Sequence, residues 1–245
     1  MHDTALELGR AFFDAYLRGS EGKVLDVGSH DVNGSLRAVA PPRANYVGVD
    51  MVPGSGVDLV LDDPHVFPFA DRSFDAVVAS SCFEHDTMFW ITFLEMVRVC
   101  RTGGHIYVNS PSNGWFHQHP RDNWRFYPDA GLSLQDWAQR EGFDVRLVES
   151  FVGRRKRNVW NDLVMVFCRG QETSACARIS ERLAAVMNLR LGQEDEPVRN
   201  YAMDTEDQQI IRKLTQMVAT RDAQLAELRD LIAVYETAFE SLGMR

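Results

Sequence analysis

Short apolar runs alternate with amphipathic segments along the first 170 residues of the chain. The runs are rich in valine, as strands buried on both faces are, and they lie near residues 23–28, 45–49, 57–61, 74–80, 104–110, 143–149 and 159–168. A helical stripe at residues 3–19, ended by Gly19, precedes them. This alternation predicts an α/β protein with a seven-stranded, mostly parallel, doubly wound sheet and an antiparallel strand late in the order.

The pattern of apolar positions changes after Arg169. Residues 174–191 have the periodicity of a helix, and residues 192–205 have the composition of a polar linker. We therefore divide the chain into an α/β domain at residues 1–170 and a helical extension at residues 171–245.

A heptad pattern occupies the end of the chain. From Ile211 to Leu242, apolar residues recur in steps of three and four, broken only by Arg221. A period of 3.5 residues predicts a helix that pairs with a partner, and a homodimer is the default for a soluble oligomer. The alternative is a long helix folded back on its own domain.

Acidic residues and a glycine turn mark the first two strands. Gly28 follows the first strand, and Asp50 ends the second, where an acid can accept both hydroxyls of a ribose. A dinucleotide site needs Gly-x-Gly-x-x-Gly, whereas here five other residues separate Gly28 from Gly34. Asp26, inside the first strand, would repel a pyrophosphate but can bind the ammonium group of S-adenosylmethionine.

These motifs resemble the Rossmann-like (class I) S-adenosylmethionine-dependent methyltransferases, from about Lys23 to about Arg169. Asp26 to His30 stands where the family has Asp-x-Gly-x-Gly, with His30 replacing the second glycine. The resemblance implies an enzyme in which Asp50 binds the ribose, an acid after the third strand contacts the adenine, and the fourth strand ends beside the methyl donor. The cofactor-binding residues that it implies are Asp26, Gly28, Ser29, Asp50, Met51, Asp62, Asp63 and Ser80.

A segment without helix or strand periodicity, Ser110 to Pro128, follows the fifth strand. It is too aromatic for a disordered linker, and it lies at the carboxyl edge of the predicted sheet, where ligands bind. We expect it to form the substrate platform, with Trp115, Asp122, Trp124 and Arg125 as substrate-binding residues. The alternative for the aromatic residues is a small core of the loop itself.

An alcohol acceptor needs a base or a metal ion, because a hydroxyl group is a poor nucleophile. Glu84 and His85 follow the fourth strand directly, so His85 is one candidate base. The alternative is that this pair caps the next helix and contacts the adenosyl group or the loop backbone. His117, His119 and Asp122 are a second set, in which a histidine such as His119 is the base or all three bind a divalent ion such as Mg²⁺. The alternative is a loop held by hydrogen bonds, with Asp122 binding Arg125.

The segments Pro111–Gly114 and His119–Gly131 resemble the sugar O-methyltransferases of bacterial polysaccharide and glycolipid pathways. The resemblance implies a saccharide substrate, such as a methylmannoside. Two other functions remain open: methylation of a small natural product or a quinone, and a noncatalytic scaffold that acts through the C-terminal helix.

Composition narrows the range of partners. A formal net charge of −9 argues against a nucleic-acid substrate, because phosphates require a basic face. The four cysteines show no paired spacing, which predicts reduced thiols in a cytoplasmic protein. The start of the sequence lacks the pattern of a signal peptide, and no apolar run approaches the roughly 20 residues of a membrane span.

Overall fold

The computed structural model describes residues 3–17, 21–156, 159–171, 177–192 and 196–243. The chain divides into two compact units, Met1–Tyr201 and Ala202–Arg245. The first unit therefore extends about 30 residues beyond the boundary near residue 170 that the sequence suggested.

The first unit is built on an eight-stranded sheet. Its strands are β1 (Lys23–Val27), β2 (Asn45–Asp50), β3 (Leu59–Val60), β4 (Phe74–Ser80), β5 (Cys100–Pro111), β6 (Val145–Gly153), β7 (Asp162–Arg169) and β8 (Val186–Leu191). Their spatial order is β3-β2-β1-β4-β5-β7-β6-β8. The first five strands are parallel, and β7, β6 and β8 are joined by antiparallel pairings. The predicted mostly parallel doubly wound sheet is confirmed.

The strand order indicates at which edge of the sheet a ligand would bind. The chain leaves β1 toward β2 on one side, and β4 lies on the other side of β1, so the order reverses there. In open α/β sheets, ligands bind at the carboxyl ends of the strands beside such a reversal. Asp50, Ser80 and Pro111 are the last residues of β2, β4 and β5, so they all lie along this edge.

Helices cover both faces of the sheet. Helix α1 (Asp3–Tyr16) packs Phe12 against Tyr107 of β5, with ring centroids 4.9 Å apart. Helix α2 (Phe89–Val99) packs Phe93 against Phe167 of β7 at 4.7 Å. Tyr107 pairs with Val166, the neighbour of Phe167, and successive residues of a strand face opposite sides. Helices α1 and α2 therefore cover opposite faces, and α3 (Ala130–Arg140) follows the loop after β5.

The helix predicted at residues 174–191 is wrong over its described part. That part contains one turn of helix, α4 (Ile179–Arg182), and then strand β8. Apolar and polar residues alternate from Met187 to Leu191, and this period of two suits a strand. The register pairs Leu191 with Glu149 of β6, which adds an eighth strand to the seven predicted. Gly19, the predicted end of the first helix, lies outside the described residues.

The second unit contains the helix predicted from the heptads. Helix α5 spans Glu206–Ser241, and Thr205 caps its N-terminus through a reciprocal pair of hydrogen bonds with Gln208. No residue of α5 is buried. Within the described parts of the chain, no helix combines the length and the apolar character that crossing a membrane requires.

Candidate active site

A glycine turn joins β1 to the carboxyl edge. The backbone N–H groups of Gly28 and Ser29 both donate to the carbonyl of Val49, at 2.9 and 3.1 Å. Gly28 has a φ of 76°, and a Cβ placed on it would lie 2.8 Å from Cβ of Cys82. Only glycine fits this turn without strain, because both the backbone angle and the space exclude a side chain.

His30, which replaces the second glycine of the methyltransferase motif, is accommodated by another glycine. A Cβ on Gly54 would lie 2.2 Å from Nε2 of His30, so the absence of a side chain at Gly54 makes room for the imidazole. The backbone N–H of His30 donates to Asp50 at 3.1 Å, and Val52 N–H donates to the other oxygen of the same carboxylate at 3.1 Å. The departure from the motif therefore leaves the turn joined to the predicted ribose-binding acid.

Asp26 is a buried acid in β1. The Tyr46 hydroxyl donates a hydrogen bond of 2.8 Å to its carboxylate. Burial raises the pKa of Asp26 to about 7, because a carboxylate loses its hydration there, and the bond from Tyr46 opposes this rise. Next to the turn, the buried Ser29 hydroxyl has no hydrogen-bond partner within the described chain. A buried acid and an unbonded hydroxyl beside the switch point suit a ligand with a cationic group and hydrogen-bonding atoms.

The remaining predicted cofactor residues also follow strands of the parallel part of the sheet. Met51, Asp62 and Asp63 are exposed, whereas Ser80 is buried and donates to Oδ1 of Asn109 at 3.0 Å. Sequence reasoning missed His65, which connects two loops at this edge. Its Nε2 lies 2.9 Å from Oδ1 of Asp86, and its Nδ1 lies 3.6 Å from Oδ1 of Asp63.

Glu84 and His85 lie immediately beyond β4. Glu84 is buried, accepts a hydrogen bond of 3.1 Å from the Ser110 hydroxyl, and has a pKa that burial raises to about 7. The pair does not cap the next helix, because α2 begins at Phe89 and the Met88 N–H before it donates to Asp86. It does contact the loop backbone, since the Glu84 carbonyl accepts from the N–H groups of Asn123 and Trp124 at 2.7 and 3.2 Å.

The imidazole of His85 has a fixed orientation. Its Nδ1 is hydrogen-bonded to the backbone carbonyl of Arg121, and a carbonyl can only accept, so Nδ1 carries the proton. Nε2 is then the basic nitrogen, 3.8 Å from Oε1 of Glu84. Burial lowers the pKa of His85, because it disfavours the imidazolium ion, although the carbonyl of Arg121 acts in the opposite direction. His85 is therefore neutral at pH 7 and able to accept a proton at Nε2.

Asp122 and Arg125 form a two-pronged ion pair within the loop. Nη1 of Arg125 donates to Oδ1 at 2.6 Å and Nη2 donates to Oδ2 at 2.8 Å, and Oδ2 also accepts from His117 N–H at 2.7 Å. These bonds, led by the one from Arg125, lower the pKa of Asp122 to about 2. The arrangement is the hydrogen-bonded loop that stood as the alternative to a metal site.

The structure does not gather the predicted metal set into one cluster. Among the described residues, the side chains that bring possible ligand atoms within 4.8 Å of one another are Glu84, His85 and His117. His119 lies farther out, with its ring centroid 6.2 Å from that of His85, and both Asp122 oxygens are bonded to Arg125. The cluster holds two imidazoles and a buried acid beside the end of β4, which suits proton transfer.

The aromatic residues of the loop divide into a packed group and an exposed group. Trp124 packs against Phe89 and donates its indole N–H to the carbonyl of Asp86 at 2.7 Å, and Phe126 is buried. Trp115 is 60% exposed, and its ring centroid lies 5.2 Å from that of Trp160, with the two ring planes tilted by 57°. The packed group is a small core of the loop, and the Trp115 ring remains accessible to a ligand.

Trp160 is a residue that sequence reasoning missed. A Cβ on Gly114 would lie 1.8 Å from its ring, so the loop backbone crosses directly over the indole. The ring centroid of His117 lies 4.9 Å from that of Trp160. Two hydrogen bonds of Asn113, to Val159 O at 2.9 Å and from Asn161 N–H at 2.6 Å, tie the loop to the same segment. The segment before β7 therefore packs against the loop and fixes the position of its backbone.

Comparison with known proteins agrees with this geometry. A family profile described as a methyltransferase domain matches residues 10–108. The match covers the turn at Gly28, the acids of β1 and β2, and the segment with Glu84 and His85, and it agrees with the resemblance of these motifs to methyltransferases.

A curated relative matches a shorter segment. Phthiotriol/phenolphthiotriol dimycocerosates methyltransferase of Mycobacterium leprae (strain TN) is 36% identical over 84 residues, which cover 29% of this chain and 29% of that protein. The chain thus aligns with less than a third of the relative's length.

Solved structures with the same fold include methyltransferases and one enzyme of another class. The chain is similar to 1,6-didemethyltoxoflavin-N1-methyltransferase of Burkholderia thailandensis, which was solved with S-adenosylhomocysteine (TM-score 0.55, 16% identity, covering 68% of this chain and 79% of that one). It is also similar to the [4+2]-cyclase SpnF (TM-score 0.50, 13% identity, covering 67% and 81%). At these identities the likeness establishes the fold, that of S-adenosylmethionine-dependent methyltransferases, and the reaction must be argued from the site.

Proposed function

We propose that the protein transfers a methyl group from S-adenosylmethionine to a hydroxyl group of a small saccharide, with His85 as the general base. The observation that carries the proposal is the hydrogen bond from Nδ1 of His85 to the carbonyl of Arg121. It fixes the basic nitrogen at Nε2, next to the strand end where the methyltransferase fold holds its methyl donor.

The residues at the carboxyl edge fit the cofactor. The Asp26 carboxylate suits the ammonium group, and the Asp50 carboxylate suits the ribose hydroxyls. The carboxylates of Asp62 or Asp63 suit the adenine amino group, and the loop residues Ser29 and Met51 flank the same edge. The cofactor supplies an electrophilic methyl carbon on a sulfonium centre.

His85 and Glu84 supply the proton chemistry in this proposal. Nε2 of His85 would accept the proton of the acceptor hydroxyl as the O–CH₃ bond forms and the S–CH₃ bond breaks, which would leave an imidazolium ion and S-adenosylhomocysteine. Glu84, 3.8 Å away, stabilises that cation when its carboxyl is ionised. No step requires a metal ion, so Mg²⁺ should be dispensable.

The loop after β5, residues 112–128, supports a saccharide as the acceptor. The exposed face of Trp115 suits the C–H face of a pyranose, and His117 and His119 offer hydrogen-bonding nitrogens on the same loop. A second candidate is a small natural product, because the mycobacterial relative is named as a methyltransferase of phthiotriol and phenolphthiotriol dimycocerosates. In either case we expect a cytoplasmic enzyme that acts on small molecules.

Two measurements test the proposal. Titration calorimetry with S-adenosylhomocysteine should show binding by the wild type and at least tenfold weaker binding by Asp50→Ala, because hydrogen bonds to a charged group contribute about 1.5–3 kcal/mol each. Asp136→Ala, which removes an exposed acid of α3, is the matched control and should bind normally. Equal affinity of the Asp50 variant would contradict the cofactor site.

The acceptor is tested separately. Radiolabelled S-adenosylmethionine should transfer its methyl group to at least one compound in a panel of mono- and oligosaccharides, both with and without Mg²⁺. Transfer to lipid or phenolic hydroxyls alone would replace the saccharide by the second candidate. Tight cofactor binding without transfer to any hydroxyl compound would favour a noncatalytic role.

A further inference from the structure

Helix α5 carries an exposed apolar seam along most of its length. The nine apolar residues of the heptad series are 50–71% exposed; they are Ile211, Leu214, Val218, Leu225, Leu228, Ile232, Tyr235, Phe239 and Leu242. The seam is about 50 Å long at 1.5 Å per residue. A continuous apolar seam of this length marks a surface that another helix covers.

The seam follows the positions of a coiled coil. With Ile211 at position a, every a position from 211 to 239 is apolar, and every d position from 214 to 242 is apolar except Arg221. The e positions hold Thr215, Asp222, Arg229 and Glu236, and three of the g positions hold the exposed apolar residues Ile210, Met217 and Leu231.

We propose that α5 pairs with α5 of a second copy of the chain, and that the two helices run antiparallel. In a parallel, in-register pair each residue of the seam faces its own copy, so Arg221 would meet Arg221 of the partner subunit. Like charges placed together in an apolar seam are strongly unfavourable. An antiparallel pair places each a position opposite a d position instead.

The antiparallel register that uses the whole seam can be read from the sequence. It sets Ile211 opposite Leu242 of the partner subunit, Val218 opposite Tyr235 of the partner subunit, and Leu225 opposite Leu228 of the partner subunit. Arg221 then faces Ile232 of the partner subunit, and its long side chain can reach water past that residue. The two copies of Arg221 are about 16 Å apart along the helix axis, because 11 residues separate the levels at which they lie.

In this register, charged residues beside the seam form ion pairs between the two copies of the helix. In antiparallel pairs, e positions face e positions, and Asp222 faces Arg229 of the partner subunit. The two-fold axis generates the same ion pair a second time, as an isologous interface requires. A parallel pair would set Asp222 beside Met217 of the partner subunit and would form no such ion pair. Self-complementary charges are the reason to choose a second copy of this chain as the occupant.

A charge swap in the full-length chain tests both the partner and the direction. Light scattering should show a dimer at micromolar concentration. Asp222→Arg and Arg229→Asp should each raise the dimer dissociation constant by about tenfold, since two exposed ion pairs become two repulsions. The double variant should restore the wild-type constant. A double variant as weak as the single variants would overturn the antiparallel register.

Disulfide trapping gives an independent readout. Under mild oxidation, a mixture of Val218→Cys and Tyr235→Cys chains should form a cross-linked heterodimer, whereas Val218→Cys alone should add no cross-link beyond that of the wild type. Cross-linking of Val218→Cys to itself would establish a parallel pair and overturn the proposal. A full-length chain that is monomeric at micromolar concentration would overturn it as well. Neither result would bear on the proposed methyl transfer.

Discussion

The hydroxyl of Tyr46 donates a hydrogen bond of 2.8 Å to the buried carboxylate of Asp26, and this links the first two strands at the proposed cofactor site. The two residues lie on neighbouring parallel strands, with Asp26 paired to Gly48. Because burial raises the pKa of Asp26 to about 7, its charge changes within the range in which a methyltransferase would be assayed.

Cofactor affinity should therefore depend on pH. An ammonium group favours ionised Asp26, so binding releases a proton while the free protein holds Asp26 protonated, below its pKa of about 7. Affinity for S-adenosylhomocysteine should rise from pH 5 to pH 7, by up to about tenfold per unit, and then level off. Calorimetry at several pH values measures this dependence.

Two variants separate this cause from other titrations. Asp26→Asn should bind S-adenosylhomocysteine weakly, and its affinity should no longer rise between pH 5 and pH 7. Tyr46→Phe removes a hydrogen bond that favours ionised Asp26, so the rise should continue to a higher pH. An unchanged pH profile in Asp26→Asn would exclude this carboxylate as the group that titrates.

His85→Ala should lower turnover by about a hundredfold while affinity for S-adenosylhomocysteine stays nearly constant, because a general base contributes to the chemical step alone. At saturating S-adenosylmethionine, the pH profile of kcat/KM for the acceptor should have its acidic limb below pH 6.5, since the pKa of His85 is lowered by burial. His119→Ala is the matched comparison, because the sequence singled out His119 as well. If turnover falls about a hundredfold in His119→Ala but not in His85→Ala, His119 is the general base instead of His85.

Asp122→Asn should destabilise the fold of the loop. The Asp122 side chain is only 2% exposed, and a pKa lowered from 3.8 to about 2 corresponds to about 2 kcal/mol of stability. For an acid with a lowered pKa, this stability is present above pH 3.8 and is lost as the pH falls toward 2. Urea denaturation at pH 7 measures the loss. Arg125→Lys should lose part of this stability, because lysine cannot form the two-pronged pair.

Glu84→Gln should change how stability depends on pH. The pKa of Glu84 is raised to about 7 in the folded protein, so the folded state holds a proton that the unfolded chain releases above pH 4.5. Stability should therefore fall as the pH rises from 4.5 to 7, by about 3 kcal/mol for this group. In Glu84→Gln this fall should be smaller. The difference in Tm between pH 5 and pH 8 tests it, with Glu181→Gln, at an exposed site, as the control.

Sequence patterns alone determined the framework of this protein. The apolar runs located seven of the eight strands, and the heptads located helix α5, because both periodicities depend on residues that are close in the chain. The sequence also located the acid that ends β2, the turn at Gly28 and the histidine after β4. Each lies at or just beyond the end of a parallel strand, and these ends share one edge of the sheet.

Tertiary contacts decided the rest. Residues 186–191 form a strand that pairs with the edge of β6, and their short alternation of apolar and polar residues does not identify that partner. Three contacts join residues 20 to 46 positions apart: the bond from His85 to the Arg121 carbonyl, the bond from Tyr46 to Asp26, and the packing of Trp160 against Gly114. Periodicity carries no information on such pairs, because their distances depend on how the strands and loops pack.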